Sequence, residues 1–221
     1  MHDIDNKSTN SLTAIVQRLE EEIVLGFLHP KERLVEDELM SRFNVKRHLI
    51  RTALDELVQL GVVERRKNIG AVVRSYDLAE VTDLYEMRDL LEGEAARRME
   101  LPALPEKIAL LKAIQEEHDK AISTANMQLV FRANMAFHST LFSLCPNKEL
   151  VKTIRYFFTQ THAIRSSSAR SAQSQAQSRK EHHAIINALE SGNRDELIRL
   201  CREHISPARD EYLRANKHYL S

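Results

Sequence analysis

The sequence predicts a mainly α protein in two parts: a winged helix-turn-helix unit followed by an all-helical bundle. Three observations carry this. The 221 residues include only 5 Gly and 5 Pro, too few for a turn-rich β fold and suited to long helices. Residues 33–73 then run short helix, tight turn, basic helix and two β-prone runs. Beyond residue 77, apolar residues recur with helical period almost to the end of the chain.

A first helix is expected from about Leu12 to Leu28, with Leu12, Ile15, Val16, Leu19, Ile23 and Phe27 as its apolar stripe and Gly26 and Pro30 closing it. Glu36–Phe43 reads as a short second helix, with Asn44 suited to the turn. The third spans about Lys46 to Leu60, places Leu49, Ile50, Ala53, Leu54 and Leu57 toward the core, and stops at Gly61. Val62-Val63 and Ala71-Val72-Val73 are short strands flanking a basic tip, Arg65-Arg66-Lys67-Asn68. On this reading Lys46, Arg47 and His48 begin the third helix and Arg51 lies one turn on. Side chains there reach base edges and phosphates in the major groove of DNA.

Charge supports the same reading. Lys+Arg and Asp+Glu are equal at 32 each, yet residues 41–75 hold 8 basic against 3 acidic residues. A basic patch within a neutral chain is the electrostatic footprint of phosphate binding.

After the wing, Asp77 and Glu80 form a capping-box signature for a helix from Leu78 to about Glu100, broken by the stretch LPALPEK at 101–107. Helices are expected over about Glu106–Ser123, Met127–Leu144 and Lys148–Arg165. The polar low-complexity segment 166–180 reads as a loop or a weakly held helix extension. Two more helices follow, about Arg179–Glu190 and Asp195–Tyr212 or beyond, separated by Gly192 and the capping pair Asn193 and Glu196. The boundary falls near Arg74–Asp77, giving a DNA-binding part over 1–75 and a helical part over 76–221. The polar start MHDIDNKSTN has no secretory apolar run, no segment is long and apolar enough for a bilayer, and two cysteines are too few for a disulfide framework. A cytoplasmic protein without membrane attachment is expected.

Three histidines stand out. His138 shares a helix face with Phe131, Asn134, Leu141 and Cys145; His182 with Ile185, Ile186 and Leu189; His204 with Leu197, Leu200, Cys201 and Ala208. Each imidazole therefore points where core residues point. One such histidine is ordinary, but three on separate helices, with Asn134 one turn before His138, form a candidate centre for Zn²⁺, Ni²⁺ or a similar ion.

The chain resembles the GntR family of bacterial transcription regulators, in the branch related to the fatty-acid regulator FadR with an FCD-type C-terminal domain. The resemblance rests on RLVEDELMSRFNV, KRHLIRTALDELVQLGVVER and KNIGAVV near the N-terminus. Further on it rests on DLAEV, LYEMRDLLEGEAARR, NMAFHSTLFSLCPNKEL, EHHAIINALESGN and REHI. It implies DNA contacts from Arg33, Arg47 and Arg51, with Lys67, Asn68 and Gly70 in the wing. Lys46, His48 and Leu49 depart from the usual Ser/Thr-Arg-Thr-Pro run, so the operator cannot be inherited. The resemblance also implies Asn134, His138, His182 and His204 as metal ligands, Asn134 standing where aspartate is more usual. Arg88 is implied as facing an effector pocket, against the plainer reading of an i,i+4 pair with Glu92.

The expected whole is a homodimer that grips a palindromic operator in double-stranded DNA and answers a small carboxylate effector, acting as a repressor rather than an enzyme. Two rivals remain at this stage. A metal-dependent hydrolase or lyase lacks an evident general-base carboxylate or HExxH-type motif, and a sensor of the metal ion itself would respond without organic ligand.

Overall fold

The computed structural model describes residues 11–169 and 171–215. It divides after Tyr76 into two compact units. The residues read for a secretory signal, 1–10, and any extension past residue 215 lie outside the described residues.

The first unit comprises α1 (Leu12–Val24), α2 (Glu36–Phe43), α3 (Arg47–Gln59), β1 (Val63–Arg66) and β2 (Gly70–Val73). Ser11 caps α1 by accepting from the Ala14 N–H at 3.2 Å. This helix is shorter than the periodicity suggests. Gly26 takes a left-handed φ of 72°, and the Phe27 and Leu28 amides turn back to the Glu22 carbonyl. Phe27, expected on the apolar stripe, is consequently 71% exposed. Asn44, left-handed at φ 51° and ψ 51°, makes the turn between α2 and α3. The expected core face of α3 holds for Ile50, Ala53, Leu54 and Leu57, all buried, whereas Leu49 is only half-buried. Burying side chains such as Leu54 and Leu57 stabilises by about 1.5–3 kcal/mol each.

β1 and β2 pair antiparallel in the register Val63↔Val73 to Arg66↔Gly70. The far edge of β2 is taken by residues 31–34: the Lys31 and Leu34 amides donate to Val73 and Ala71, and an isolated bridge joins Arg33 to Val72. β2 is thereby hydrogen-bonded on both sides. Arg65 and Arg66, read as part of the wing tip, belong to β1 instead and pair with Asp55 and Glu64.

The second unit is helical among its described residues: α4 (Leu78–Arg98), α5 (Pro105–Ser123), α6 (Met127–Ser143), α7 (Lys148–Gln160), α8 (His162–Ala169), α9 (Ala172–Ser191), α10 (Arg194–Glu203) and α11 (Ser206–Ala215). Asp77 and Glu80 close the capping box on α4. Packing brings α5 against α6 and α9, α4 against α7 and α10, and α9 against α10. The shared core includes Met99, Leu111, Phe137, Leu141, Ile185, Leu189 and Leu197.

Three boundaries differ from the sequence reading. The helix expected to run to Arg165 breaks at Thr161, which is fully buried with its hydroxyl donating to the Phe158 carbonyl at 2.9 Å. The Ser-rich stretch supplies a cap rather than a loop: Ser171 accepts from the Ser174 amide, so α9 starts at Ala172 instead of near Arg179. The last helix is two, because Pro207 has no N–H to return to the Glu203 carbonyl and so cannot continue α10. His204 is therefore the C-cap of α10, and Ala208 lies on a different helix from it.

Candidate metal centre and nucleic-acid interface

In the first unit the basic residues gather at one end of α3. Lys46 is its N-cap, and Arg47, His48 and Arg51 are exposed. Positive charge in a first turn opposes the helix dipole, so these residues cost the helix something locally. The acidic first turn of α2 offsets that cost: Glu36 meets Arg51 with Oε2 2.9 Å from Nε, and Asp37 pairs with Arg47. Both recognition-helix arginines are thus ion-paired to the first turn of α2. Pairs this exposed contribute only about 0–1 kcal/mol, so both forks can exchange partners for phosphate or guanine.

Lys67 and Asn68 lie in the exposed turn of the wing and Gly70 opens β2 beside it, with Asn68 at φ 65° and Gly70 at φ 98°. Arg33 is exposed within the segment that bridges β2. Every candidate DNA contact therefore reaches solvent.

In the second unit, α6, α9 and the end of α10 bring His138, His182 and His204 together. One nitrogen from each lies within 4.8 Å of the other two. His138 and His182 are buried, and His182 stacks on Phe137 with centroids 3.8 Å apart. Nε2 of His138 is 3.2 Å from Nε2 of His204. Two nitrogens bound tetrahedrally at 2.0–2.1 Å to one zinc ion lie roughly 3.3 Å apart.

The remaining nitrogens fix the tautomers. His182 donates from Nδ1 to the Gln115 amide oxygen at 2.8 Å, leaving a lone pair on Nε2 that the Ser178 hydroxyl meets at 3.5 Å. His204 donates from Nδ1 to Glu181. Nδ1 of His138 is buried without a hydrogen-bond partner. Burial, reinforced by the neighbouring His204, pulls the pKa of both His138 and His182 well below the usual imidazole value. They are accordingly neutral, the form that ligates metal. The donor set therefore fits a borderline divalent ion. Asn134, half-buried, stands one turn before His138 on α6, the i,i+4 spacing that puts both on one face.

Arg88 is buried and pairs with Glu92, Nε to Oε1 2.7 Å, with Nη1 3.3 Å from the Thr161 hydroxyl. Burial opposes its charge, but Glu92 outweighs that and its pKa is raised. Its guanidinium lies 5.2 Å from the Phe158 ring centre, and the Arg165 guanidinium lies 3.8 Å from the same centre. Phe158 in turn packs on His138 at 5.0 Å. The Tyr85 hydroxyl nearby is buried with no hydrogen-bond partner of regular geometry.

Glu181, Gln115, Tyr85 and Arg165 escaped the sequence reading. Glu181 had one visible signal, its place beside His182 in EHH; the other three became relevant only once the helices packed.

Comparison with known proteins resolves the class. Residues 12–73 match the model of the gntR family of bacterial regulatory proteins, and residues 83–207 match the FCD domain. The chain belongs to the GntR family, with an FCD C-terminal domain. It is 31% identical over 186 residues to the Nta operon transcriptional regulator of Aminobacter aminovorans, covering 83% of this chain and 86% of that one. It is 25% identical over 193 residues to the HTH-type transcriptional repressor RspR of Escherichia coli K12, covering 86% and 84%. A GntR transcriptional regulator from Rhodococcus sp. RHA1 shares the fold with TM-score 0.76 at 22% identity, covering 92% of this chain and 98% of that one. E. coli McbR/YncC does so with TM-score 0.72 at 15% identity, covering 95% and 98%. GntR regulators bind DNA, and this family and these relatives are transcriptional regulators, not enzymes. Among the described residues no helix is long and apolar enough to cross a membrane.

Proposed function

We propose that this GntR/FCD regulator is a cytoplasmic homodimeric repressor whose helical unit senses a small organic acid through a divalent metal held by His138, His182, His204 and Asn134. The observation that carries the reading is the convergence of three imidazoles with nitrogens within 4.8 Å of one another. Zn²⁺ or Ni²⁺ suits imidazole donors; with four protein donors, a carboxylate would enter by expanding the coordination to five or six or by displacing the neutral Asn134 amide. The guanidiniums of Arg165 and of Arg88, the latter shared with Glu92, lie against the phenylalanine that packs on His138. A guanidinium fork suits a carboxylate. That the relative RspR is a transcriptional repressor supports the sign of the response.

On the DNA side, Arg47 and Arg51 would exchange Asp37 and Glu36 for the operator, with Lys46 and His48 beside them. Arg33, Lys67, Asn68 and Gly70 would hold the backbone. A dimer reads two half-sites about one helical turn apart, so the operator is expected to be palindromic. Effector binding alters DNA affinity only through a difference in its affinity for the two states.

The test is operator binding measured with zinc-loaded and chelator-treated protein across a panel of small mono-, di- and tricarboxylates. A carboxylate that weakens operator binding only in the zinc-loaded protein is the expected result. Equal response after chelation would overturn the metal-mediated reading. A large change on adding zinc alone would favour the ion itself as the signal.

A further inference from the structure

We propose that Glu181 is the positioning and charge-balancing residue of the three-histidine site, acting through His204. The inference rests on reading that site as a metal centre and deepens it.

Glu181 sits on α9 one residue before His182, with its carboxylate directed to His204 at the end of α10. Oε2 accepts from His204 Nδ1, and Oε1 accepts from the Gln177 amide at 2.6 Å. The His204 and Glu181 side chains are 10% and 15% exposed, so this contact is mostly shielded from solvent. With Nδ1 committed as donor to Glu181, His204 turns Nε2 toward His138. A carboxylate on the far nitrogen also makes the ring a stronger ligand.

His182 is held differently. Its Nδ1 donates to Gln115 Oε1, while the Gln115 amide nitrogen lies 2.6 Å from Asp119 Oδ1 and 3.3 Å from His118 Nδ1. The Asp119 carboxylate can only accept, so it fixes the amide nitrogen on its own side, turns the amide oxygen to His182 and sets the His182 proton on Nδ1. This support is neutral where that of His204 is anionic.

The difference matters because of the charge in the site. Three neutral imidazoles and the Asn134 amide bring no negative charge to a dication. Glu92 is committed to Arg88, and Asp119 is one residue removed, behind Gln115 and paired with Arg179 and His183. Among the described residues, Glu181 is the carboxylate that directly hydrogen-bonds one of the three histidines. Glu181 thus supplies from behind a ligand the negative charge that Asn134 does not supply in front.

Zinc affinity of the full-length protein, measured by competition with a chromogenic chelator, tests this in parent, E181Q, N134D and the double variant. E181Q is expected to weaken zinc by about 10–100-fold, the range for loss of such an outer partner. Because N134D restores a charge, it should strengthen zinc binding roughly tenfold more in E181Q than in the parent, a coupling that a purely structural contact would not produce. Equal affinity of E181Q and parent, or no coupling, overturns the role of Glu181 and leaves the metal centre standing. A parent that does not bind zinc overturns both. A second measurement needs no variant: long-range ¹H–¹⁵N spectra of the metal-free parent should show His204 as the Nδ1–H tautomer, and the Nε2–H tautomer would overturn the proposal.

Discussion

Replacing Glu92 by leucine is expected to destabilise the helical unit by about 3–5 kcal/mol, the cost of leaving one member of a buried ion pair alone. The magnitude follows from position. Arg88 and Glu92 side chains are 3% and 2% exposed and meet at 2.7 Å, so solvent cannot replace the lost partner. Without Glu92 the guanidinium keeps the Thr161 hydroxyl at 3.3 Å and the faces of Tyr85 and Phe158, which do not balance a full charge. The double replacement R88M/E92L removes the charge along with its partner and should lie within about 1–2 kcal/mol of the parent, since apolar groups of similar volume often substitute for a buried pair without loss. Urea unfolding of the metal-free protein, followed by helical ellipticity, measures all three. The reasoning fails if E92L costs less than about 1 kcal/mol, or if the double variant is as unstable as E92L. If Arg88 faces an organic acid, a small carboxylate should also raise the melting temperature of E92L more than that of the parent.

Two further expectations concern the DNA face and pH. R51A should weaken operator binding by about 1–3 kcal/mol, roughly 5–150-fold, in an equilibrium mobility-shift assay; unchanged affinity would misplace the recognition helix. His118 is lowered to about 4, chiefly by burial. Its folded pKa lies below the unfolded value of 6.5, so acid favours unfolding. Its stabilising contribution is fully present above pH ~6.5 and is lost as pH falls toward about 4, on the order of 3 kcal/mol at the limit. Chelator-treated H118Q should therefore show a shallower loss of stability across that window than the parent, and an identical slope would contradict the burial argument.

The strongly periodic elements were legible in the sequence. The capping box at Asp77, the α2–α3 turn at Asn44 and the basic start of α3 each follow from local chemistry that tertiary packing left intact. What periodicity missed were breaks whose cause is a single residue. Pro207 divides the last helix, a signal that was present in the sequence and overlooked. The break at Thr161 depends on a buried hydroxyl that no window average registers. Composition left the Ser-rich stretch open between a loop and a weakly held helix extension; Ser171 spends its side chain on a cap and the following residues are helical. Among the site residues, the three histidines were found because each shares a face with core residues. Their supports were not, because Gln115 reaches His182 across 67 positions of chain and Glu181 reaches His204 across 23.

The claim that most of the account rests on is a divalent ion held by imidazoles of the FCD unit. Equilibrium dialysis against buffered zinc, with elemental analysis of parent and H182A, tests it most directly. One ion per chain in the parent, with H182A folded but nearly free of zinc, is the expected result; a zinc-free parent, or an H182A variant that retains the ion, would contradict it.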